Sequence, residues 1–306
     1  MQQSPVEISV LLITYNHASF VRRAVESVLN QRTSRPWELI VSEDASTDGT
    51  LDIVRDVVQG DPRVRYIISE VNLHSNESVA RAIRAAKGRY LSMIDGDDFW
   101  IVDDKLERQA AILDADPKIS ACFHNALVVE GDSTEPTTRR WTPSGQSDTI
   151  GIDQIWHGNP YATCAGMMRK QALANLGPWY SNLTTMITDW PLYALCAEHG
   201  ELRFIDEPVG AYRLHGQGVF SALSTRSKLA ATADLYRLLD AGLDRRHHER
   251  ATSGASLFFT DRAESYLGTG ESDLARLCLW HALRAGGLGQ AVSRRRWLRL
   301  AAAALR

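Results

Sequence analysis

The sequence predicts an α/β fold with a mainly parallel sheet covered by helices, followed by an α-helical C-terminal region. Two observations predict the sheet: short apolar, β-prone runs alternate with segments that have helical apolar spacing, and the strands are apolar throughout. Continuous apolar strands are typical of parallel sheets buried on both faces. A third observation predicts the C-terminal region, since only helical spacing occurs from about Ser224 onward.

The first third of the chain has the predicted order β-α-β-α-β-α-β, with right-handed crossovers between parallel strands. The four strands are predicted at residues 8–13, 37–41, 64–68 and 89–94, and the three helices that separate them include Val25, Val54 and Ile83. A further helix is predicted from Lys105 to Leu113, ended by Asp116 and Pro117. Residues 131–151 are rich in Thr, Ser, Pro and Gly and predict a long surface loop, of the kind that often covers a binding site.

The C-terminal region predicts a helical hairpin that resembles one tetratricopeptide unit, with small and apolar residues spaced from Ala263 to Leu283. One such unit is too short to form an array. We therefore expect a main domain over residues 1–222 and a helical region over residues 223–306.

Composition limits the possible classes of protein. With 34 Lys and Arg against 37 Asp and Glu, the net charge is −3. The first two-thirds of the chain contain no basic patch interleaved with aromatic residues, which argues against nucleic acid as the main partner. The apolar runs are too short to cross a bilayer, and the N-terminus lacks the pattern of a secretory signal, so a cytoplasmic location is expected. The four cysteines are widely separated, which predicts reduced, buried thiols.

The segment from Asp95 to Asp98 places three carboxylates within four residues directly after a predicted buried strand. Like charges this close raise one another's proton affinity unless a cation compensates them, and a divalent ion with oxygen ligands is a common solution. The alternative is an acidic turn held by Asx hydrogen bonds, with Gly96 at a position of positive φ.

Polar residues also follow the first two predicted strands. Thr14, Tyr15 and Asn16 end the first strand, and Glu43 and Asp44 end the second. Carboxyl ends of parallel strands are where ligands bind in open α/β sheets. The chain has neither a GxGxxG sequence after the first strand nor a Walker motif, so phosphates bound here would need a metal on the acidic cluster.

Together these motifs closely resemble the family 2 glycosyltransferases. The resemblance implies the GT-A fold, a Rossmann-like mixed sheet flanked by helices, and covers about two-thirds of the chain. The matching segments, in order, are residues 10–16, 43–50, 88–100, 105–109, 158–160, 188–189 and 212–216.

The resemblance implies a role for each donor-site residue. Asp44 would accept a hydrogen bond from the uracil of a UDP-sugar, with Thr14 and Tyr15 lining the base pocket, and Asn16, Glu43 and Gly96 would complete the donor site. The alternative for Asp44 and Asp48 is turn formation and capping of the helix that begins near Gly49, and we favour capping only for Asp48. Asp95 would lie near the ribose, and Asp97, with His215, would bind Mn²⁺ or Mg²⁺ on the diphosphate. Asp98 would orient a donor hydroxyl or cap the next segment.

Asp189 matches the acidic residue that acts as general base in the family. A carboxylate that removes the proton of an attacking hydroxyl contributes about 10²–10⁴-fold to the rate. The residues from Thr188 to Pro191 are also typical of a helix start, and both interpretations can hold together. One departure from the family is that Ser78, Val79 and Ala80 stand where many members have Ala-Arg-Asn, so the diphosphate would depend more on the metal and His215.

Near the expected acceptor side, Tyr161 would stack on a sugar or belong to the core. Trp100 has the same two interpretations, as a shelter for the donor or as a core aromatic. Neither residue identifies an acceptor.

The predicted activity is inverting, metal-dependent transfer of a sugar from a nucleotide-diphosphate donor, a UDP-sugar, to a hydroxyl. The acceptor would be a sugar, a lipid-linked molecule or a small molecule in polysaccharide, glycolipid or secondary-metabolite biosynthesis, and the oligomeric state stays open. The alternatives are a nucleotidyltransferase, which gives Asp189 no obvious role, and a catalytically silent nucleotide-sugar-binding scaffold.

The tail from Arg294 to Leu300 is basic and partly amphipathic. One interpretation is peripheral contact with an anionic membrane at its inner face. The other, which we favour from the sequence, is that these cations lie toward the C-terminus of a helix, where its dipole stabilises them.

Overall fold

A computed structural model of the chain describes residues 5–183, 187–216, 218, 220, 222–244, 247–286 and 292–305. The chain divides into two compact units. One consists of Met1–Gly151 with Pro160–Ser221, and the other of Ile152–Asn159 with Ala222–Arg306.

The first unit contains a mixed sheet and the helices that follow its strands. In the described residues the strands are β1 (Ile8–Thr14), β2 (Trp37–Glu43), β3 (Val64–Ile68), β4 (Tyr90–Asp95), β5 (Phe99–Trp100), β6 (Ile119–Glu130), β7 (Thr149–Ile150), β8 (Gly166–Arg169) and β9 (Glu201–Leu214). The helices are α1 (Val21–Leu29), α2 (Thr50–Val58), α3 (Glu77–Ala85), α4 (Lys105–Ala115), α6 (Pro178–Ser181) and α7 (Asp189–His199), while the short α5 (Ile152–Ile155) belongs to the second unit.

The strand order is β3-β2-β1-β4-β8-β6-β9-β5, and β7 pairs with β9. The four N-terminal strands are parallel, whereas β8 is antiparallel to both β4 and β6. The predicted alternation of strands and helices and the mixed sheet are therefore confirmed. The sequence patterns did not predict β6 and β9 individually, although these two strands pair along most of their length.

Burial explains why these segments form the sheet and its covering helices. Val10, Leu11 and Leu12 of β1 are fully buried, as a strand covered on both faces requires. On α1 the buried residues include Ala24, Val25 and Val28, which recur with helical spacing and belong to the same core cluster. Hydrophobic burial thus fixes β1 in the centre of the sheet.

Residues 131–148 form the long loop that the sequence predicts, before the short strand β7. Two residues hold the start of this loop: the Arg213 guanidinium donates to the carbonyls of Gly131 (2.6 Å) and Ser133 (2.8 Å), and Arg23 donates to the carbonyl of Thr134. The loop is therefore tied to side chains at the edge of the acidic cluster.

The second unit contains α8 (Thr225–Gly242), α9 (His248–Gly268), α10 (Ser272–Gly286) and α11 (Arg294–Ala304). Helices α9 and α10 form the predicted hairpin, and the turn between them includes Gly270 at φ 80°. No helix among the described residues is long and apolar enough to cross a membrane.

The preferred interpretation of the basic tail was wrong. Arg294, Arg295 and Arg296 lie in the first turn of α11, where the helix dipole disfavours cations. The helix begins at this point because Ser293 accepts a hydrogen bond from the Arg296 amide. Asp261 and Glu264 of α9 bind the Arg296 guanidinium and offset this cost.

Candidate functional site

Three of the predicted polar segments meet at one edge of the sheet. Strands β2, β1 and β4 are neighbours and parallel, with Thr14 opposite Glu43 and Ile13 opposite Asp95. Because parallel strands end on the same side of a sheet, the residues that follow them converge. The predicted donor and acidic segments therefore lie side by side.

The segment after β1 is shaped by local hydrogen bonds. Thr14 is buried, its carbonyl accepts from the Asp44 amide (3.0 Å), and its Oγ1 lies 3.2 Å from Nδ1 of His17. Asn16 adopts a positive φ of 53°, and its side-chain oxygen accepts from the Thr47 amide (2.9 Å). This bond ties the loops after β1 and β2 together.

Tyr15 lies between Thr14 and Asn16 and is partly exposed. It is therefore accessible to a ligand at this edge, as its predicted place in a base pocket requires.

The two carboxylates that end β2 have different surroundings. Glu43 accepts hydrogen bonds from the amides of Ala45 (3.2 Å) and Ser46 (2.6 Å), so it holds the turn that follows the strand. Asp44 accepts from the Leu73 amide at 3.1 Å and 3.3 Å. A carboxylate has about four acceptor positions, so Asp44 can accept a further hydrogen bond.

Asp48 accepts from the Thr50 amide (3.0 Å) at the start of α2 and from the Ala18 amide (2.9 Å). Asp48 therefore holds the turn that leads into α2, while the N-cap residue of that helix is Gly49.

The acidic cluster places its three carboxylates in different environments. Burial, followed by the charges of Asp97 and Asp189, raises the pKa of Asp95 well above its ordinary value. Burial, followed by the charges of Asp97 and Asp95, raises the pKa of Asp98 well above its ordinary value, and its Oδ1 accepts from the Arg213 amide (2.8 Å). Asp98 therefore links the cluster to β9.

Asp97 differs because it has two imidazole neighbours. Its Oδ2 lies 2.8 Å from Nε2 of His215 and 3.8 Å from Nε2 of His17. Burial by itself would raise the pKa of Asp97, but the His215 hydrogen bond and the nearby His17 hold it below the ordinary value. Asp97 is thus the carboxylate of the cluster that stays ionised most readily.

Gly96 allows this close arrangement. A Cβ at this position would lie 2.6 Å from Thr14 Oγ1 and 2.7 Å from His17 Nδ1. The absence of a side chain therefore lets the acidic segment approach the end of β1.

Arg213 supports the cluster from the other side. Its Nε donates to the Asp97 carbonyl (2.9 Å), and its guanidinium lies 4.5 Å from the ring centre of Phe20. The Phe20 ring in turn lies 5.1 Å from that of His215. Arg213 and Phe20 therefore restrict the positions of both Asp97 and His215.

Asp189 is the first residue of α7. Its Oδ1 accepts from the Trp190 amide (2.7 Å) and its Oδ2 from the Thr163 hydroxyl (3.3 Å). The carboxylate thus lies in the first turn of α7, near enough to the acidic cluster for its charge to contribute to the raised pKa of Asp95.

Two aromatic residues considered for the site belong to the core. Tyr161 is buried and stacks on Phe123 with ring centres 4.3 Å apart, which favours the core alternative. Trp100 is also buried, and its indole donates to the Cys164 carbonyl (2.8 Å).

The side chains at this site would supply only some of the ligands that a divalent ion needs. No three His, Cys, Asp or Glu side chains in the described residues form a complete metal cluster. Asp97 and His215 supply one carboxylate and one imidazole, which Mn²⁺ accepts readily. Further oxygen ligands would have to come from water or from a bound diphosphate.

Sequence reasoning missed two functional candidates. His17 follows Asn16 directly, so its place at the end of β1 was a usable signal. Thr163 lies two residues after Tyr161, which the sequence placed near the expected acceptor side. Arg213 lay within a recognised motif, but nothing in the sequence indicated its contact with the backbone of Asp97.

Similarity to known sequences identifies the family of this chain. Residues 9–176, more than half of the chain, match the family described as Glycosyl transferase family 2. The chain is 30% identical over 249 residues to an uncharacterized protein of Mycobacterium bovis, covering 79% of the chain and 70% of that protein. It is 42% identical over 105 residues to the putative teichuronic acid biosynthesis glycosyltransferase TuaG of Bacillus subtilis, covering 33% of the chain and 40% of TuaG.

Solved structures share the fold. S. aureus TarS in complex with UDP-GlcNAc superposes with a TM-score of 0.68 at 16% identity, covering 98% of this chain and 88% of that one. The mannosyltransferase PcManGT from Pyrobaculum calidifontis, in complex with GDP-Man and Mn²⁺, gives 0.57 at 18% identity, covering 99% of this chain and 82% of that one. The fold is therefore GT-A, and the chain belongs to glycosyl transferase family 2.

Proposed function

We propose that this chain is an inverting, metal-dependent glycosyltransferase that moves a sugar from a UDP-sugar to an acceptor hydroxyl. The observation that carries the proposal is the proximity of two groups of residues. The Asp97–His215 pair and Asp95 lie at the sheet edge, and Asp189, at the start of α7, lies near enough for its charge to act on Asp95. A group for the diphosphate and a group for the attacking hydroxyl thus belong to one acidic site. This juxtaposition suits group transfer better than simple nucleotide binding.

The donor would bind along the ends of β1 and β2. Asp44 would accept the imide N–H of uracil while keeping its bond to the Leu73 amide, and Tyr15 would pack against the base. The contacts of Glu43 and Asn16 are within the two loops, so these residues would shape the pocket. Complexes of TarS with UDP and UDP-GlcNAc support a uridine donor.

Asp97 and His215 would hold the divalent ion, and Asp95 would contact the donor ribose. When bound, the ion supplies Lewis-acid stabilisation of the negative charge that develops on the leaving diphosphate. Asp97 is suited to this role because its pKa is held low. The Mn²⁺ complex of PcManGT supports the choice of metal.

Asp189 would act as general base. The acceptor oxygen forms a bond to the anomeric carbon, the bond from that carbon to the diphosphate oxygen breaks, and the acceptor proton passes to the Asp189 carboxylate. A single displacement inverts the anomeric centre. The hydrogen bonds from Trp190 and Thr163 hold the carboxylate in one orientation for this step.

A donor screen by thermal shift tests the nucleotide assignment. We expect UDP-sugars with Mn²⁺ to raise the unfolding temperature, because a ligand at 100 times its Kd stabilises a folded protein by about 2.7 kcal/mol. UDP-glucose, UDP-galactose, UDP-GlcNAc and GDP-mannose would be compared with and without EDTA. Stabilisation by GDP-mannose alone would contradict the uridine assignment, and turnover of the selected donor would exclude a silent scaffold.

We also propose that α11 contacts anionic membranes, as a lipid-linked acceptor would require. Arg294 and Arg295 are exposed in the first turn of α11, and Leu298 and Leu305 are 52% and 78% exposed. Exposed cations beside exposed apolar side chains are typical of a helix that binds an anionic interface. We expect co-sedimentation with phosphatidylglycerol vesicles at low salt, which Arg294→Glu with Arg295→Glu should reduce. No sedimentation of the unaltered protein would refute this contact.

A further inference from the structure

A short turn connects the two halves of the proposed site. The site turn, Thr163–Gly166, consists of a 3₁₀ turn and the first residue of β8. At one end the Thr163 hydroxyl donates to Asp189 (3.3 Å), and at the other end the Gly166 carbonyl accepts from Ser92 Oγ (2.9 Å) on β4, the strand that leads into the acidic cluster. The position of this turn therefore bears on both the proposed base and the acidic cluster.

Four side chains, Ser92 among them, hold successive carbonyls of the site turn. The Trp100 indole donates to the carbonyl of residue 164 (2.8 Å), Gln109 Nε2 to that of residue 165 (2.8 Å) and Lys105 Nζ to that of residue 166 (3.1 Å). All four donors are buried. A buried carbonyl that loses its donor costs about 1–3 kcal/mol, so this arrangement restricts the turn strongly.

Lys105 is an unusual choice of donor. Its ammonium is fully buried, it donates to Ser92 Oγ (2.7 Å) and Gln109 Oε1 (2.7 Å), and it lies 4.5 Å from the ring centre of Trp100. Burial lowers the pKa of Lys105 to about 7. Its hydrogen bonds within the described residues all go to neutral acceptors, and these bonds offset part of the free-energy cost of burying the ammonium. The same bonds position the site turn and Gln109.

We infer that Lys105 and Gln109 are positioning residues for the transfer step, acting on Asp189 through the site turn and the Thr163 hydroxyl. Neither residue contacts Asp189 directly, so neither is a catalytic residue in this scheme. The inference rests on the proposed role of Asp189 as base. Residues 105–109, which match the family but had no role assigned from the sequence, would thus serve to position the site turn.

The first test compares Thr163→Val with Thr163→Ser, using UDP release from the UDP-sugar selected by the thermal-shift screen. Removing a donor to a carboxylate raises its pKa, so the acid limb of the kcat profile should shift to higher pH in Thr163→Val. We expect kcat to fall at least about 10-fold, because small misplacements of reacting groups cost up to about 100-fold. Thr163→Ser keeps the hydroxyl and should restore both values.

The side chains that donate to the carbonyls of the site turn form a clamp, and the second test weakens this clamp with Gln109→Leu and Lys105→Met. Both should lower kcat and shift the acid limb as Thr163→Val does, with the UDP affinity unchanged within about 2-fold. Gln31→Leu is the matched control, because Gln31 is a buried glutamine that bonds to Val102 (2.6 Å) and Leu106 (3.2 Å) instead of the site turn. It should leave the pH profile in place.

A double-mutant cycle decides whether the clamp acts through the turn. If it does, Gln109→Leu should add little to the effect of Thr163→Val. Additive effects, or an unshifted acid limb in Gln109→Leu and Lys105→Met, would overturn the inference. If Lys105→Met does not fold, the Gln109 and Thr163 variants still carry the test. If the role of Asp189 as base is itself wrong, Asp189→Asn would keep full turnover. This result distinguishes failure of the proposed function from failure of the positioning inference.

Discussion

Replacing Asp97 by Ala should abolish metal-dependent UDP binding. Asp97 is the carboxylate whose pKa is held low, and it pairs with His215 at 2.8 Å. Even groups that only support a metal ligand contribute about 10–100-fold to metal affinity, so loss of the ligand itself should weaken UDP binding in Mn²⁺ by at least about 100-fold. That factor corresponds to about 2.7 kcal/mol. Isothermal titration with UDP, with Mn²⁺ or with EDTA, measures it.

The control is Asp52→Ala, since the Asp52 side chain is 85% exposed on α2. It should bind UDP as the unaltered protein does and respond equally to EDTA. Asp97→Ala should match the weak binding that EDTA leaves in the unaltered protein. Equal affinity of Asp97→Ala and the unaltered protein in Mn²⁺ would remove Asp97 from the metal site.

Asp189→Asn should retain UDP binding and lose turnover. The amide oxygen of Asn can still accept from Trp190 or Thr163, so the start of α7 should persist. The neutral amide cannot take the acceptor proton, and the rate should fall by about 10²–10⁴-fold. UDP release from the selected UDP-sugar, measured beside UDP titration, separates the two effects.

Asp52→Asn provides the matched control and should leave turnover unchanged. If Asp189→Asn turns over at the rate of the unaltered protein, the base must be another group. If it also loses UDP affinity, Asp189 contributes to donor binding and its assignment as base alone is wrong.

Local patterns predicted the first half of the sheet well because each strand there is a short apolar run and each helix has its own apolar face. The strand predicted at residues 64–68 has those bounds in the structure. Strands β6 and β9 escaped prediction because polar and aromatic residues such as His124, Asn125 and Arg213 interrupt their apolar pattern. Those polar residues are buried through long-range bonds, including Asn125 to Asp206 (2.6 Å).

The basic tail is a second case in which local sequence was not enough for a correct prediction. Its composition indicates a helix, but the effect of its charges depends on where the helix begins. That point is set by the Ser293 cap and by the acidic residues of α9 that receive Arg296.

The sequence by itself determined which residues gather at the carboxyl edge of β1, β2 and β4, because parallel strands joined by crossovers must end on the same side. The family resemblance implied that His215 joins Asp97, but no local pattern did, and the tertiary structure brings the two together across 118 residues. The contact of Thr163 with Asp189, across 26 residues, came from the tertiary structure alone. These contacts depend on the order in which β8, β6 and β9 extend the sheet. That order is fixed by packing over the whole unit, which no local pattern encodes.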